Sequence, residues 1–335
     1  MKKPYKVIAG FSILLIVALR TIACTGELPE VGKFEESRSL MDTYVTVVVY
    51  SNEKTAEEAI SAAFARMEEI EKVASIFDYE SEAFKLNQDG YLDEPSNDLF
   101  KLIIMSLYYN NLTNGCFDIT VQPLLDLWAG GLWKESPEVQ QSKIKETMRV
   151  IGSDKIIIEG NKVYFKVEGV KITLGGIAKG YAVDEALKVL EGMGIEYALV
   201  DAGGDMGTIY SKPGAEPWCI ALENPDDTSQ CLATFEFSGK SVATSGNYER
   251  YFNPEKTAHH ITNPKTGYSA SECISVTIIA EECMQADALA TAVFVMGPEK
   301  GIRLVESLPD VECFIIDAER TTYSSSGLSK YLSER

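Results

Sequence analysis

Histidine is nearly missing from this 335-residue chain: two residues, His259 and His260, stand side by side and there are no others. Imidazole is the side chain whose ordinary pKa suits it to accept a proton near neutral pH, so a histidine base has one place to be. A structural pair, on the surface or bonded in the core, is the competing reading. Positive charge is also scarce, with 31 Lys+Arg against 50 Asp+Glu and a formal net charge of -19. Such a surface repels nucleic-acid phosphates and anionic headgroups, which argues against both as partners. An anionic nucleotide would need a cation or a local basic group to approach, which points to a metal-assisted site. No C-x-x-C pair occurs among the seven cysteines, so zinc-ribbon and thioredoxin-like readings fall away. Without Cys24, the six remaining thiols read either as buried free groups or as disulfide partners. Low-complexity segments and charged linkers inside the body are absent as well.

What is present begins with an address. Lys2, Lys3 and Lys6 precede an apolar run from Val7 to Leu19, the layout of a secretory signal. Thr21-Ile22-Ala23-Cys24 then resembles a lipoprotein box in which Cys24 is acylated, although Thr21 and Arg20 depart from the usual pattern. An uncleaved anchor and plain secretion are the alternatives. The run is short for a membrane span, which favours a lipid anchor and a body held outside the cytoplasm. Residues 1–24 are thus read as a signal peptide, 25–39 as a polar linker and 40–335 as the folded domain.

Along that body, Met41 to Tyr50 reads as a strand rich in branched residues. Apolar spacing predicts helices over 55–74 and 97–112, and Ser136-Pro137 opens another. Glu159-Gly160-Asn161 marks a hairpin. A short strand at 172–174 runs into glycines and a helix from Ala178 to Met193. Further strands are expected at 197–200, 217–222, 231–237, 240–243, 274–280 and 311–316, with helices at 284–296 and 298–307. Helices and strands mix without strict alternation, which predicts an α+β fold with much antiparallel sheet.

Four segments carry candidate chemistry. Thr173-Leu-Gly-Gly-Ile-Ala-Lys-Gly180 is a strand–glycine–helix joint whose free N–H groups and Lys179 suit an anion, or whose glycines simply allow close packing. Its spacing fits neither a P-loop nor a dinucleotide fingerprint. Asp201-Ala-Gly-Gly-Asp205 is either a tight turn with exposed carboxylates or a place for a flat ring or phosphate. Asp287 and Thr291 share one helix face and offer oxygen-only ligation suited to Mg²⁺; the other reading is a carboxylate complementing the helix dipole. In Cys116-Phe-Asp-Ile-Thr120, Asp118 is a helix cap or grips a polar group of a ligand.

Taken in order, these blocks resemble the FAD:protein FMN transferase family, the ApbE-type flavin transferase lipoproteins. The resemblance runs from about Met41 to Gly297 and includes Met41-Asp-Thr43, Ala243-Thr-Ser-Gly246 and His259-His-Ile-Thr-Asn-Pro-Lys-Thr-Gly267. It implies two fused T-fold-like halves with FAD as substrate between them. It implies Mg²⁺ on Asp287, Thr291 and a carbonyl near Gly176. It gives His260 the role of base. FAD contacts are implied at Met41, Ile76, Phe77, Asp78, Cys116, Phe117, Asp118, Thr173, Lys179, Gly203, Gly204 and Ile261. The family reaction moves FMN onto a Thr or Ser hydroxyl of an exported acceptor protein and releases AMP. The acceptor carries an Asp-x-x-(Ser/Thr)-Gly-Ala-(Ser/Thr)-type target and belongs to membrane redox complexes. Mg²⁺-dependent FAD pyrophosphatase activity and non-catalytic FAD binding are the alternatives. Two departures from the family pattern are Thr173, where an Asp is usual, and Asp42, where a small residue is usual.

Overall fold

Eight residues of the segment read as linker belong to a strand. The computed structural model describes residues 31–248 and 250–333; the signal segment, Cys24 and the first residues of the linker lie outside these. Gly32–Leu40 (β1) pairs antiparallel with Thr43–Ser51 (β2) along its whole length, so the body begins near residue 32, not 40. The strand hides its period of two because charged residues take inward positions. Glu36 and Arg38 share the inward face with Phe34 and Leu40, and the Arg38 guanidinium lies 4.3 Å over the Phe64 ring. Charge along such an edge also discourages pairing with another chain.

The chain continues through α1 (Glu53–Ala74), α2 (Glu82–Asp89), β3 (Tyr91–Asp93), α3 (Asn97–Leu112), α4 (Gln122–Ala129) and α5 (Pro137–Thr147). Next come β4 (Ile156–Glu159), β5 (Lys162–Phe165), α6 (Ala178–Gly192), β6 (Tyr197–Ala202) and β7 (Asp205–Ile209). The hairpin β8 (Trp218–Asn224) and β9 (Asp227–Phe237) follows, then β10 (Ser241–Gly246), β11 (Cys273–Ala280), α7 (Cys283–Met296), α8 (Pro298–Val305), β12 (Glu312–Asp317) and β13 (Thr322–Ser324). Eight strands form one antiparallel sheet in the order β1-β2-β6-β7-β10-β11-β12-β13. The order repeats a unit: two strands, a helical excursion, then two strands that return beside the first two. Helix α1 packs on β1 and β2, α6 on β6 and β7, α7 on β10 and β11, and α8 on β12. The fold is α+β, as expected.

The expected strand at 172–174 is extended but unpaired in any sheet. The Asn87 side chain brackets Ile172, donating to its carbonyl at 2.8 Å and accepting its N–H at 2.7 Å, while the Thr173 N–H bonds the Ile119 carbonyl. A side chain thus does what a neighbouring strand would do. All six cysteines among the described residues are free, which settles the disulfide alternative for these. Among the same residues no helix is long and apolar enough to cross a membrane.

Candidate functional site

Two tight turns lie side by side at one end of the sheet. Ala202 and Asp205 pair across Gly203-Gly204, whose φ values of 65° and 93° are those of a type I′ hairpin turn, which glycine adopts without strain. Leu40 and Thr43 pair in the same way across Met41-Asp42 (φ 54° and 60°), where no glycine relieves the strain. Glu71 of α1 holds the Met41 turn by accepting its N–H at 2.7 Å, and Asp42 reaches Arg250 at 3.1 Å. A methyl group on Gly203 would stand 3.0 Å from Thr43 Cβ, so the turns touch.

Asp205, expected to be exposed on its turn, is buried. Its carboxylate pairs with the Lys179 ammonium from the first turn of α6 and accepts the Thr244 N–H from β10. Burial opposes the Lys179 charge, but Asp205 and Asp287 outweigh it and raise its pKa. One ammonium donor is engaged by Asp205, which leaves two for another anion.

Asp287 stands on α7 where that helix crosses the start of α6. Its Oδ2 accepts the Gly180 N–H at 3.1 Å. Only glycine fits at 180, because an added carbon would lie 2.7 Å from the carbonyl carbon of Cys283 and from Met284 Cα. Asp184 of α6 fixes the same crossing by accepting the Cys283 and Met284 N–H groups at 2.7 and 2.9 Å, capping α7 from outside. Burial raises the pKa of Asp287, and the Asp205 charge raises it further. The Lys179 ammonium pairs directly with Asp205 and offsets the Asp287 charge only in part. One helical turn on, Thr291 Oγ1 lies 3.3 Å from Ser245 Oγ of β10, and a methyl group on Gly176 would stand 3.0 Å from it. The Gly176 backbone and the Thr291 hydroxyl are thus neighbours, and Asp287 stands one helical turn from Thr291, oxygen donors of the kind that suit a hard divalent cation.

The histidines differ in task. His259 is buried, bonds the Ala270 carbonyl through Nε2 at 2.9 Å and packs edge-on against Phe294. Since its Nδ1 accepts the Ile261 N–H, Nε2 carries the proton. His260 is half-buried, with Nδ1 3.3 Å from the Arg250 carbonyl. Burial pushes its pKa down to about 4, and the nearby charges of Arg250 and Lys179 act in the same direction. It is therefore neutral at physiological pH and free to accept a proton.

Other expected contacts are dispersed. Phe117 closes on Gly176, its ring 3.3 Å from a methyl group placed there, and Cys116 is buried behind it. The Asp118 carboxylate accepts from Thr120 twice, Ser153 twice and Asn110 once, and so caps its own loop. Ile76 is half-buried against the core, whereas Phe77 and Asp78 are exposed beyond the end of α1, their N–H groups bonded to Ser75 Oγ. Ile261 is buried in the core and Thr173 is half-buried. Ser245, Arg250 and Asp184 stand inside the blocks that carry the family resemblance, but no role was expected of them.

A cleft of about 270 Å³ adjoins the histidine segment and is lined by Trp128, Trp133, Tyr268, Asn253 and Ser269, among others. It does not include the Asp287–Lys179 cluster. For locating chemistry the cluster of buried charge is the better guide, because buried carboxylates need a reason.

Comparison with known proteins agrees with this geometry. The ApbE family profile matches residues 41–315. The chain belongs to that family. It is 30% identical to a FAD:protein FMN transferase of Haemophilus influenzae over 97% of this chain and 98% of that one. Among solved structures, the ApbE protein of Thermotoga maritima matches with a TM-score of 0.81 and 32% identity, covering 90% of this chain and all of that one. The flavin transferase ApbE from Vibrio cholerae gives 0.78 and 26%, with the same coverage.

Proposed function

We propose that this ApbE-family chain is a Mg²⁺-dependent transferase that moves the FMN half of FAD onto a Ser or Thr hydroxyl of an acceptor protein and releases AMP. One observation carries the reading: the buried carboxylate of Asp287 shares a charge cluster with the Lys179–Asp205 pair, and the Lys179 charge reaches the neutral His260. Asp287, Thr291 and the Gly176 carbonyl would hold the metal ion, which when bound supplies charge neutralisation to a diphosphate. Lys179 directs its remaining N–H donors at the same phosphates. His260 takes the proton of the acceptor hydroxyl as its oxygen bonds to the FMN-side phosphorus. The phosphorus–oxygen bond to AMP breaks, and AMP leaves with the electron pair. The Arg250 carbonyl holds His260 in place, meeting both its Nδ1 and its backbone N–H. The strained Met41 turn and the two glycines at 203–204 would form one wall of the cleft for the flavin nucleotide. The same reading puts the body outside the cytoplasm, tethered through an acylated Cys24.

The test incubates the purified protein with FAD, Mg²⁺ and a peptide bearing the target motif, followed by mass spectrometry of peptide and nucleotides. A peptide heavier by one FMN, with AMP released, is expected, and Asp287→Ala should abolish it. Free FMN and AMP beside unmodified peptide would replace transfer by hydrolysis, and intact FAD would leave binding alone.

A further inference from the structure

The short ribbon that carries the histidines gives His260 a side-chain neighbour without a role so far. Tyr251 and His259 form an antiparallel bridge. On one side of it the Phe252 N–H bonds the Ala258 carbonyl, and on the other the His260 N–H bonds the Arg250 carbonyl. Arg250 and His260 therefore stand directly opposite each other. In an antiparallel pair, opposite residues point to the same face with Cβ atoms about 5 Å apart, and the next pair points to the other face. The ring contacts obey this rule. Tyr251 and His259 meet edge-on and His259 packs on Phe294, which leaves Arg250 and His260 together on the outer face.

The Arg250 guanidinium is not committed elsewhere. It meets the Asp42 carboxylate at 3.1 Å in an exposed ion pair, and none of its five N–H donors makes an aligned hydrogen bond among the described residues. Exposed pairs of this kind contribute little, so phosphate oxygens that match the guanidinium fork can displace the carboxylate. Asp42 belongs to the Met41 turn, the wall assigned above to the flavin nucleotide, so the guanidinium is attached to that wall and adjacent to the base. The charges of Arg250 and Lys179 are both felt at His260. A phosphorus attacked beside that imidazole thus has a cation near it from each half of the sheet.

We propose that Arg250 is a further catalytic residue: its guanidinium forks two N–H groups onto the oxygens of the FMN-side phosphate as that phosphorus passes from AMP to the acceptor hydroxyl. The proposal rests on the transfer reading above. The acceptor oxygen bonds to phosphorus as His260 takes its proton, and the bond to AMP breaks with its electron pair. The charge that gathers on the remaining phosphate oxygens is met by Arg250. Asp42 holds the guanidinium at the wall until the phosphate takes its place.

The experiment compares the parent protein with Arg250→Ala and Arg250→Lys, using FAD, Mg²⁺ and a peptide bearing the target motif. FAD affinity is read separately by fluorescence titration in EDTA. His260 is held by the main-chain carbonyl at 250, which both substitutions keep. Arg250→Ala should lower kcat on the order of hundredfold, as for loss of one transition-state donor, with KM for the peptide within twofold of the parent. FAD affinity should fall less than kcat, because the grip tightens as charge develops. Arg250→Lys keeps the charge without the fork and should recover about tenfold at most. Free guanidinium ion, and not ammonium, should restore part of the Arg250→Ala rate. A kcat within threefold of the parent, or a loss that guanidinium leaves unrelieved, overturns the proposal. So does an effect confined to KM for the peptide, which would give the arginine to the acceptor, and an equal fall in FAD affinity and kcat, which would make it a ground-state binding group. If the parent hydrolyses FAD and modifies no peptide, the transfer reading falls, and the same hundredfold loss in hydrolysis would still uphold Arg250. FAD left intact by the parent overturns both.

Discussion

Replacing Gly180 by alanine adds one carbon where α6 crosses the start of α7. That carbon would press on the Cys283 carbonyl oxygen and stand 2.7 Å from both the Cys283 carbonyl carbon and Met284 Cα, against an ordinary contact of 3.4 Å or more, so the helices must part by at least about 0.7 Å. All three nearest atoms are backbone, which no rotamer change relieves. Overpacking against backbone, which cannot swing aside, costs about 2–3 kcal/mol, and alanine returns about 1 kcal/mol of helix preference. The net loss is about 1–2 kcal/mol, a fall of roughly 2–4 °C in Tm for a domain of this size. The same substitution at Gly192, at the other end of α6, meets no atom within 4 Å. There it should raise Tm by about 1–2 °C, since propensity acts unopposed. Function should follow geometry: adding 0.7 Å to the 3.1 Å bond from Gly180 N–H to Asp287 gives about 3.8 Å, which is no hydrogen bond. Transfer should drop on the order of tenfold or more in Gly180→Ala and stay near parental in Gly192→Ala. Paired thermal melts and single-turnover rates read both quantities. Gly180→Ala melting at or above the parent would refute the crossing argument.

Asp184→Ala removes the external cap of α7 and leaves the Cys283 and Met284 N–H groups buried without partners, so urea unfolding should show a loss of about 2 kcal/mol or more. Asp184→Asn, which keeps one acceptor, should recover part of it. Asp118→Ala should cost stability of similar size while KM for FAD changes little; a large rise in that KM without destabilisation would return Asp118 to the ligand. His260, held down to about 4 by burial, should give a transfer rate that is flat from about pH 5.5 to 8 and falls only in stronger acid, where the imidazolium cannot accept a proton. A midpoint near 6.5 in stopped-flow rates would contradict its burial. Both histidines bind protons less readily folded than unfolded, so their contribution to Tm is complete above about 6.5 and declines as pH drops towards 4.

The helices were legible in the sequence because their apolar spacing is unambiguous: α3 and α7 start and stop within a residue of the pattern. The Thr173–Gly180 block and the Asp287/Thr291 pair were legible for the same reason, since i and i+4 on one helix fix a common face. Strand β1 was hidden by inward Glu36 and Arg38, whose chains lie along apolar surface rather than in water. Residues 172–174 misled because extended backbone was satisfied by Asn87 instead of a strand. Asp205 looked exposed because its partner, Lys179, stands 26 residues away and only the sheet brings them together. Ser245 and Arg250 stand in a recognisable block, but what they touch follows only from the fold: Ser245 meets Thr291 across to α7 and Arg250 meets Asp42.

Strands β7 and β10 share only two residue pairs, Ser241 with Gly207 and Val242 with Met206, the shortest ladder in the eight-stranded sheet. Lys179, Asp205 and Gly176 belong to the first half of that sheet's chain, while Ser245, His260, Asp287 and Thr291 belong to the second. A nucleotide and cation seated among them would therefore be held by both halves at once. Affinity for the ligand and cohesion between the halves become a single linked quantity, so whatever loosens the joint weakens binding, and whatever binds tightens the joint.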